Sequence, residues 1–233
     1  MRSIHRHITH FWSEERSLTA FLILLVVEIF VIGPIQTKGF GVLLFNNVIF
    51  FLLLVTGLLT MTNRKSLQAL LAMFVALAVA TRFAHLSTGD PGLKILDGLF
   101  IITCTVGFLV IVLWQVYREG PVTAHRIQGA IAAYLLLSII FAVAYTLLEN
   151  IQPGSFQGQN QAQAQTQDAI NRAFYYFSVV TLTTTGYGDI TAVSPHARTL
   201  VMMEALIGQL YPAILIARLV SLHVETKRPG KNP

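Results

Sequence analysis

The stretch that decides the fold is Thr181-Leu-Thr-Thr-Thr-Gly-Tyr-Gly-Asp189. Gly186 and Gly188 can take positive φ at little steric cost. A run alternating L-residues with such glycines turns successive carbonyls the same way. Four copies around an axis would stack these carbonyls into rings of oxygens able to replace the water shell of a cation. On either side the sequence becomes apolar. The aromatic run Ala173-Phe-Tyr-Tyr-Phe-Ser-Val-Val180 precedes the stretch, and the long apolar run 200–220 follows it.

Composition agrees with a chain that lives in lipid. Of 233 residues, 54% are hydrophobic and only 12% charged, where a soluble domain carries about a quarter charged residues. Apolar runs of about 20 residues recur, which predicts a polytopic membrane protein. The first run follows Arg2, Arg6 and Arg16 but lacks a small-residue cleavage site and contains Glu28. It reads as a retained anchor rather than a cleaved signal. Cys104 is the single cysteine and excludes an intrachain disulfide framework. The net charge of +5 comes from residues scattered at segment ends. This points to topology and anionic lipid head groups rather than nucleic acid. His5, His7 and His10 lie among arginines with no carboxylate or cysteine to complete a ligand set, so the opening residues read as a cytoplasmic amphipathic lead-in.

Six apolar segments are expected, at about 18–35, 42–61, 67–84, 96–116, 127–148 and 200–220. The fourth follows a turn at Ser87-Thr-Gly-Asp-Pro-Gly92. With the N-terminus inside, 11 Lys and Arg residues fall on the inner side and 5 on the outer, the bias that orients membrane proteins. Both termini are then cytoplasmic, and the glycine-rich stretch opens to the outside. Between the fifth and sixth segments, the polar low-complexity run Gln157–Gln167 has nothing to bury and reads as a loose extracellular turret. Asp168 is placed to cap a helix that carries the aromatic run. This helix is too short to span the bilayer and is therefore re-entrant, with the negative end of its dipole toward the membrane centre.

From about Ile127 to Val224 the chain resembles the pore module of tetrameric potassium channels. The core Thr184-Thr185-Gly186-Tyr187-Gly188 corresponds to their TVGYG selectivity filter, and Ala173–Asp189 is closest to the voltage-gated and two-pore branches. The resemblance implies an all-α membrane protein of six transmembrane helices, with a re-entrant pore helix and a filter loop, assembled as a homotetramer. Its parts would be a cytoplasmic segment 1–16, a four-helix domain 17–118, a pore domain 119–224 and a cytoplasmic tail 225–233. K+ would be the permeant ion, with no other cofactor. Its ligands would be the carbonyls of Thr184, Thr185, Gly186 and Tyr187 and the Thr184 hydroxyl, with Gly188 at the outer mouth.

Other roles follow from the same resemblance. Thr185 stands where Val or Ile is usual, so its hydroxyl needs a partner behind the filter. Asp189 would bond back to Tyr176 of the pore helix and brace the loop. Val180 replaces a glutamate that one bacterial branch pairs with this aspartate. Glu149 ends the outer helix, either bonded to backbone behind the filter or simply solvated. Gly208 falls at the gating-hinge position or, alternatively, allows close helix packing. Pro212 removes a backbone donor, so a kink near 208–212 is expected. Gln209, Pro212, Ala213, Ile216 and Ala217 are candidates to line the cavity. Ile216 with Leu219 and Val220 would form an apolar constriction that closes by dewetting. Glu204 is a functional candidate as an intramembrane acid: protonated, paired with a hydroxyl, or near the rear of the filter. Glu28, Asp97 and Arg82 pose the same question in the first four segments.

Residues 96–116 contain no Lys or Arg, so the field has little to act on in the fourth segment. The expected activity is passive, potassium-selective conduction that is not strongly voltage-gated. The alternatives are a non-selective monovalent cation channel, a subunit of a potassium uptake transporter, or a non-conducting membrane sensor or regulatory subunit with a pore-like fold. No ligand set, nucleotide loop or nucleophile–base arrangement suggests an enzyme. No cytoplasmic ligand-binding domain is expected after the sixth segment.

Overall fold

A computed structural model describes residues 19, 21–32, 73, 76–77, 79–81, 84, 90–117, 123–158 and 167–227. The second apolar segment and Arg82 lie outside these residues, as does most of the third segment. The first is described in part, as a short apolar helix Phe21–Val31 with a π-helical turn at Val27–Ile32. Among the described residues, three helices are long and apolar enough to cross a membrane. They belong to α1 (Pro91–Tyr117), α2 (Ala124–Ile151) and, after a shorter helix α3 (Gln167–Leu182), α4 (Pro195–Lys227).

Local chemistry sets the boundaries. Pro91 and Gly92, expected in a turn, instead open α1. The fixed φ of proline suits the first helical position, and Asp90 Oδ1 accepts the Gly92 amide at 2.8 Å. At α4, Ser194 Oγ accepts the Ala197 amide at 3.2 Å, with Pro195 just inside the helix. This is an N-cap that the apolar pattern alone did not reveal. The far end of α4 continues to Lys227, so residues 225–227, assigned to a tail, are helical. Asp168 lies within the first turn of α3 rather than ahead of it.

The fold is not purely helical. β1 (Phe156–Gly158) and β2 (Ile190–Ala192) pair antiparallel, with Phe156 opposite Ala192 and Gly158 opposite Ile190. This corrects the turret expectation. Gln157 and Gly158 are tied into a ladder, and only part of the polar run, residues 159–166, lies outside the described residues. A Cβ on Gly158 would sit 2.6 Å from the Asp189 carbonyl, so glycine is what lets β1 approach the chain just after the filter.

Two apolar clusters hold these elements. In one, Phe21 and Leu25 pack with Phe108 and Val112 of α1 and with Ala132, Ala133 and Leu136 of α2. The alanines allow the helix backbones to approach closely. The other is aromatic: Tyr145 of α2, Phe156 of β1, and Phe174 and Phe177 of α3 pack around one another. Phe156 and Phe174 meet edge-on at 4.8 Å between centroids, a geometry favoured by the ring quadrupoles. The aromatic run thus anchors α3 between α2 and the two-stranded sheet.

Candidate functional site

The glycine-rich stretch begins where α3 ends. The last four carbonyls of a helix have no partner within it, and here every one is satisfied. Val179 O accepts the Thr183 amide at 3.0 Å, Val180 O those of Thr185 at 3.0 Å and Gly186 at 3.3 Å, and Thr181 O that of Thr184 at 2.9 Å. Leu182 O accepts the Tyr134 hydroxyl at 2.8 Å. The bare dipole end expected to face a cation is therefore capped by the amides of Thr183, Thr184, Thr185 and Gly186.

This capping orients the stretch that follows α3. Each trans peptide points its C=O opposite its N–H. Because the amides of Thr184, Thr185 and Gly186 donate back into α3, the carbonyls of Thr183, Thr184 and Thr185 point away from it. The backbone alternates to match. Thr184 has φ 57°, Gly186 57° and Gly188 76°, so left-handed residues recur at every second position. Two are glycines, as the sequence suggests. Thr184 is a strained exception, the kind that persists only where surrounding structure over-determines it. Thr183 through Gly188 are exposed in the single chain, Tyr187 at 70%.

The supporting residues fall into place around this strand. Thr183 Oγ1 donates to Val179 O at 2.7 Å and lies 2.9 Å from Thr185 Oγ1. The unusual threonine hydroxyl thus has a partner, and Thr183 is a member of the site that the motif did not single out. Tyr176 hydrogen-bonds Asp189, and its phenol is held above the ordinary value first by burial, then by that bond and the nearby Asp189 charge. Glu149 lies elsewhere than behind the filter. Its Oε1 accepts the Gly154 amide at 2.8 Å and its Oε2 the Phe156 amide at 3.2 Å, so it caps the turn from α2 into β1.

The α4 helix has two unlike faces. Gly208 is buried, and a Cβ there would fall on the Leu182 carbonyl, well inside van der Waals contact. The close-packing reading of Gly208 is the one this geometry describes, and α4 runs unbroken through Pro212. Nearby, Tyr211 donates to Ala130 O at 2.8 Å and stacks on Tyr134 at 5.7 Å. Glu204 is fully buried and bonds both Tyr145 of α2 and Ser178 of α3. On the other face Gln209, Ala213, Ile216 and Ala217 are exposed, with Pro212 half-buried between the two. The sequence did not point to Tyr134, Tyr145, Ser178 or Tyr211. The available signal was a polar tip in an apolar span, which must find a partner when buried. Among the described residues no group of His, Cys, Asp and Glu is arranged to hold a metal.

Comparison with known proteins covers the same region. The model of a family described as "Ion channel" matches residues 133–225. The inward rectifier potassium channel Kirbac3.1 of Paramagnetospirillum magnetotacticum is 39% identical over 98 residues, covering 40% of this chain and 27% of that protein. The two pore potassium channel c of Oryza sativa subsp. japonica is 35% identical over 89 residues, 38% of this chain and 17% of that protein. Protein LctB of Bacillus caldotenax is 29% identical over 87 residues, 37% of this chain and 64% of that protein. The chain thus spans less than two thirds of the length of each of these relatives. No solved structure matches it. From the middle of α2 through the filter strand and into the last turns of α4, the chain is similar to an ion channel family and not to an enzyme family.

Proposed function

We propose that this chain is a subunit of a homotetrameric channel that conducts K+ selectively and passively across a membrane, with little dependence on voltage. The observation that carries the reading is the alternation of left-handed backbone at Thr184, Gly186 and Gly188. It occurs in a strand whose amides are tied back into a short helix. Such a strand presents a ladder of carbonyls on its exposed side, and a ring of these can substitute for a cation's hydration shell.

One chain supplies one such ladder, and a closed ring needs several copies around an axis. The exposed faces of the filter strand and of α4 are where neighbouring copies would meet. Carbonyls of Thr184, Thr185, Gly186 and Tyr187 would bind the ion, with the Thr184 hydroxyl at the inner end, Gly188 at the mouth and the Asp189–Tyr176 bond bracing the loop. Gln209, Ala213, Ile216 and Ala217 would line the inner vestibule. The likeness to potassium channels over 98 and 89 residues supports K+ as the ion. The partnered hydroxyl of Thr185 supports an ordered filter rather than a loosened one. The absence of Lys and Arg from residues 96–116 supports weak voltage dependence. The test is the reversal potential in planar bilayers with K+ on one side and Na+ on the other, across a voltage ramp. A reversal near the K+ equilibrium potential with shallow voltage dependence is expected. A reversal near zero would replace the reading with a non-selective cation channel, and silence from tetrameric protein with a non-conducting one.

A further inference from the structure

The cluster around Glu204 has a proton inventory that its contacts fix. Ser178 Oγ lies 2.8 Å from the carbonyl oxygen of Ser138 and also within bonding distance of Glu204 Oε1. Tyr145 Oη contacts Glu204 Oε2. A backbone carbonyl only accepts, so the single Ser178 hydrogen belongs to the Ser138 contact. The Ser178–Glu204 contact then needs a hydrogen from the carboxyl group itself. Three contacts require three hydrogens: one from Tyr145, one from Ser178 and one on Glu204. An ionised Glu204 leaves one of the three as two oxygens facing each other with nothing between them. It also leaves a charge at a site with no exposure to solvent, where no Lys or Arg hydrogen bond or ion pair to it is seen among the described residues.

The surroundings agree. The titratable groups that face Glu204 are Tyr145, which bonds it, and Tyr134, both on α2. α3 turns the neutral Ser178 to it. The hydroxyl of Ser138 is directed elsewhere, to Leu135 O at 2.8 Å. We propose that Glu204 is a neutral carboxylic acid that relays a hydrogen-bond chain from Tyr145 through Ser178 to the Ser138 carbonyl, and so acts as the residue that positions the pore helix between α2 and α4. The role in conduction rests on the channel reading above. The protonation state and the hydrogen-bond chain do not.

The sign follows from the count. The packing is complete while the proton is present, and it is lost as pH rises and the carboxyl ionises. Glu204→Gln keeps the pattern without a proton to lose: its carbonyl accepts from Tyr145 and its amide donates to Ser178. Infrared difference spectra of the full chain in lipid vesicles separate the carbonyl stretch of a protonated acid from a carboxylate. A protonated-acid band at neutral pH that disappears in Glu204→Gln and fades as pH is raised is the expected result. Glu204 present only as carboxylate at neutral pH overturns the proposal. Ser178→Ala, which removes the acceptor but retains the acid, gives a second arm. The band should shift in frequency, and a band unmoved by loss of Ser178 overturns the relay. K+ flux measured on the same vesicles should fall with rising pH in the wild type and stay flat in Glu204→Gln. Equal pH profiles in the two proteins overturn the positioning role. Because the infrared arms need no conduction, an absence of flux would count against the channel reading alone.

Discussion

The two sides of the filter stretch are built on different principles. Behind it, everything is contact: Gly208 lies on the Leu182 carbonyl, Tyr134 donates to that same oxygen, and Glu204 joins three helices in full burial. In front, Gly186 and Gly188 have nothing within 4 Å of where a side chain would begin. There the determinant is backbone conformation, with φ of 57° and 76°. One side is fixed by how atoms fit, the other by what the chain can adopt. A single chain completes the rear wall and leaves the front exposed.

Substitutions on each side sharpen the contrast. Gly208→Ala should be the most damaging, because its Cβ meets backbone that cannot swing aside. Overpacking of this kind costs roughly 1–3 kcal/mol and sometimes more. Thermal unfolding of the purified protein should drop by several degrees or more, and K+ flux should fall with it. Gly186→Ala meets no atom, yet a left-handed L-residue costs about 1–2 kcal/mol. It should abolish selective K+ flux while lowering thermal stability less than Gly208→Ala does. If the two alanine variants lose stability equally, the division between the two sides is wrong.

Smaller effects probe the seam between them. Tyr134→Phe leaves the Leu182 carbonyl without its donor, at a cost of about 1 kcal/mol. Stability should fall modestly and filter closure should become faster in single-channel records. Thr185→Val removes the hydroxyl paired with Thr183, which keeps its own bond to Val179 O. The change should lie within about 0.5 kcal/mol, and the K+ to Na+ reversal potential should move little. A large gain in selectivity would mean that Thr185 does loosen the filter. The smallest effect concerns Tyr176. The fold favours its neutral phenol, so the stabilisation is complete below the ordinary phenol range and is lost as pH climbs through the raised value. Ultraviolet titration should find it ionising above that range, and Asp189→Asn should bring it back down.

Much of this was legible in the amino-acid order. Among the described residues, three of the six expected spans are seen as helices long enough to cross a membrane, because a run of about 20 apolar residues must satisfy its backbone internally in lipid. The short helix α3 announced itself by its aromatic run, and the positive φ at 186 and 188 by the two glycines. Glu204 stood out because an acid in an apolar run demands an explanation. What stayed hidden were partners far apart in sequence. Nothing local ties Tyr134 to Leu182, Tyr145 and Ser178 to Glu204, or Gln157 to Thr191. Glu149 was left open between a backbone bond and a solvated helix end, and the structure has it accept the amides of Gly154 and Phe156 in the next turn.

The sequence by itself determined that the chain is apolar enough to span a membrane and that residues 184–188 can carry carbonyls on one side. These follow from composition and from the freedom of glycine, which are properties of each residue. Only the tertiary structure decided that Thr184 joins the glycines in left-handed backbone. The same holds for Gly208 as a packing contact and for Glu204 joining three helices. The last two depend on distances between segments tens of residues apart, set by how whole helices pack, and Thr184 on the bonds that tie its stretch back to the end of α3.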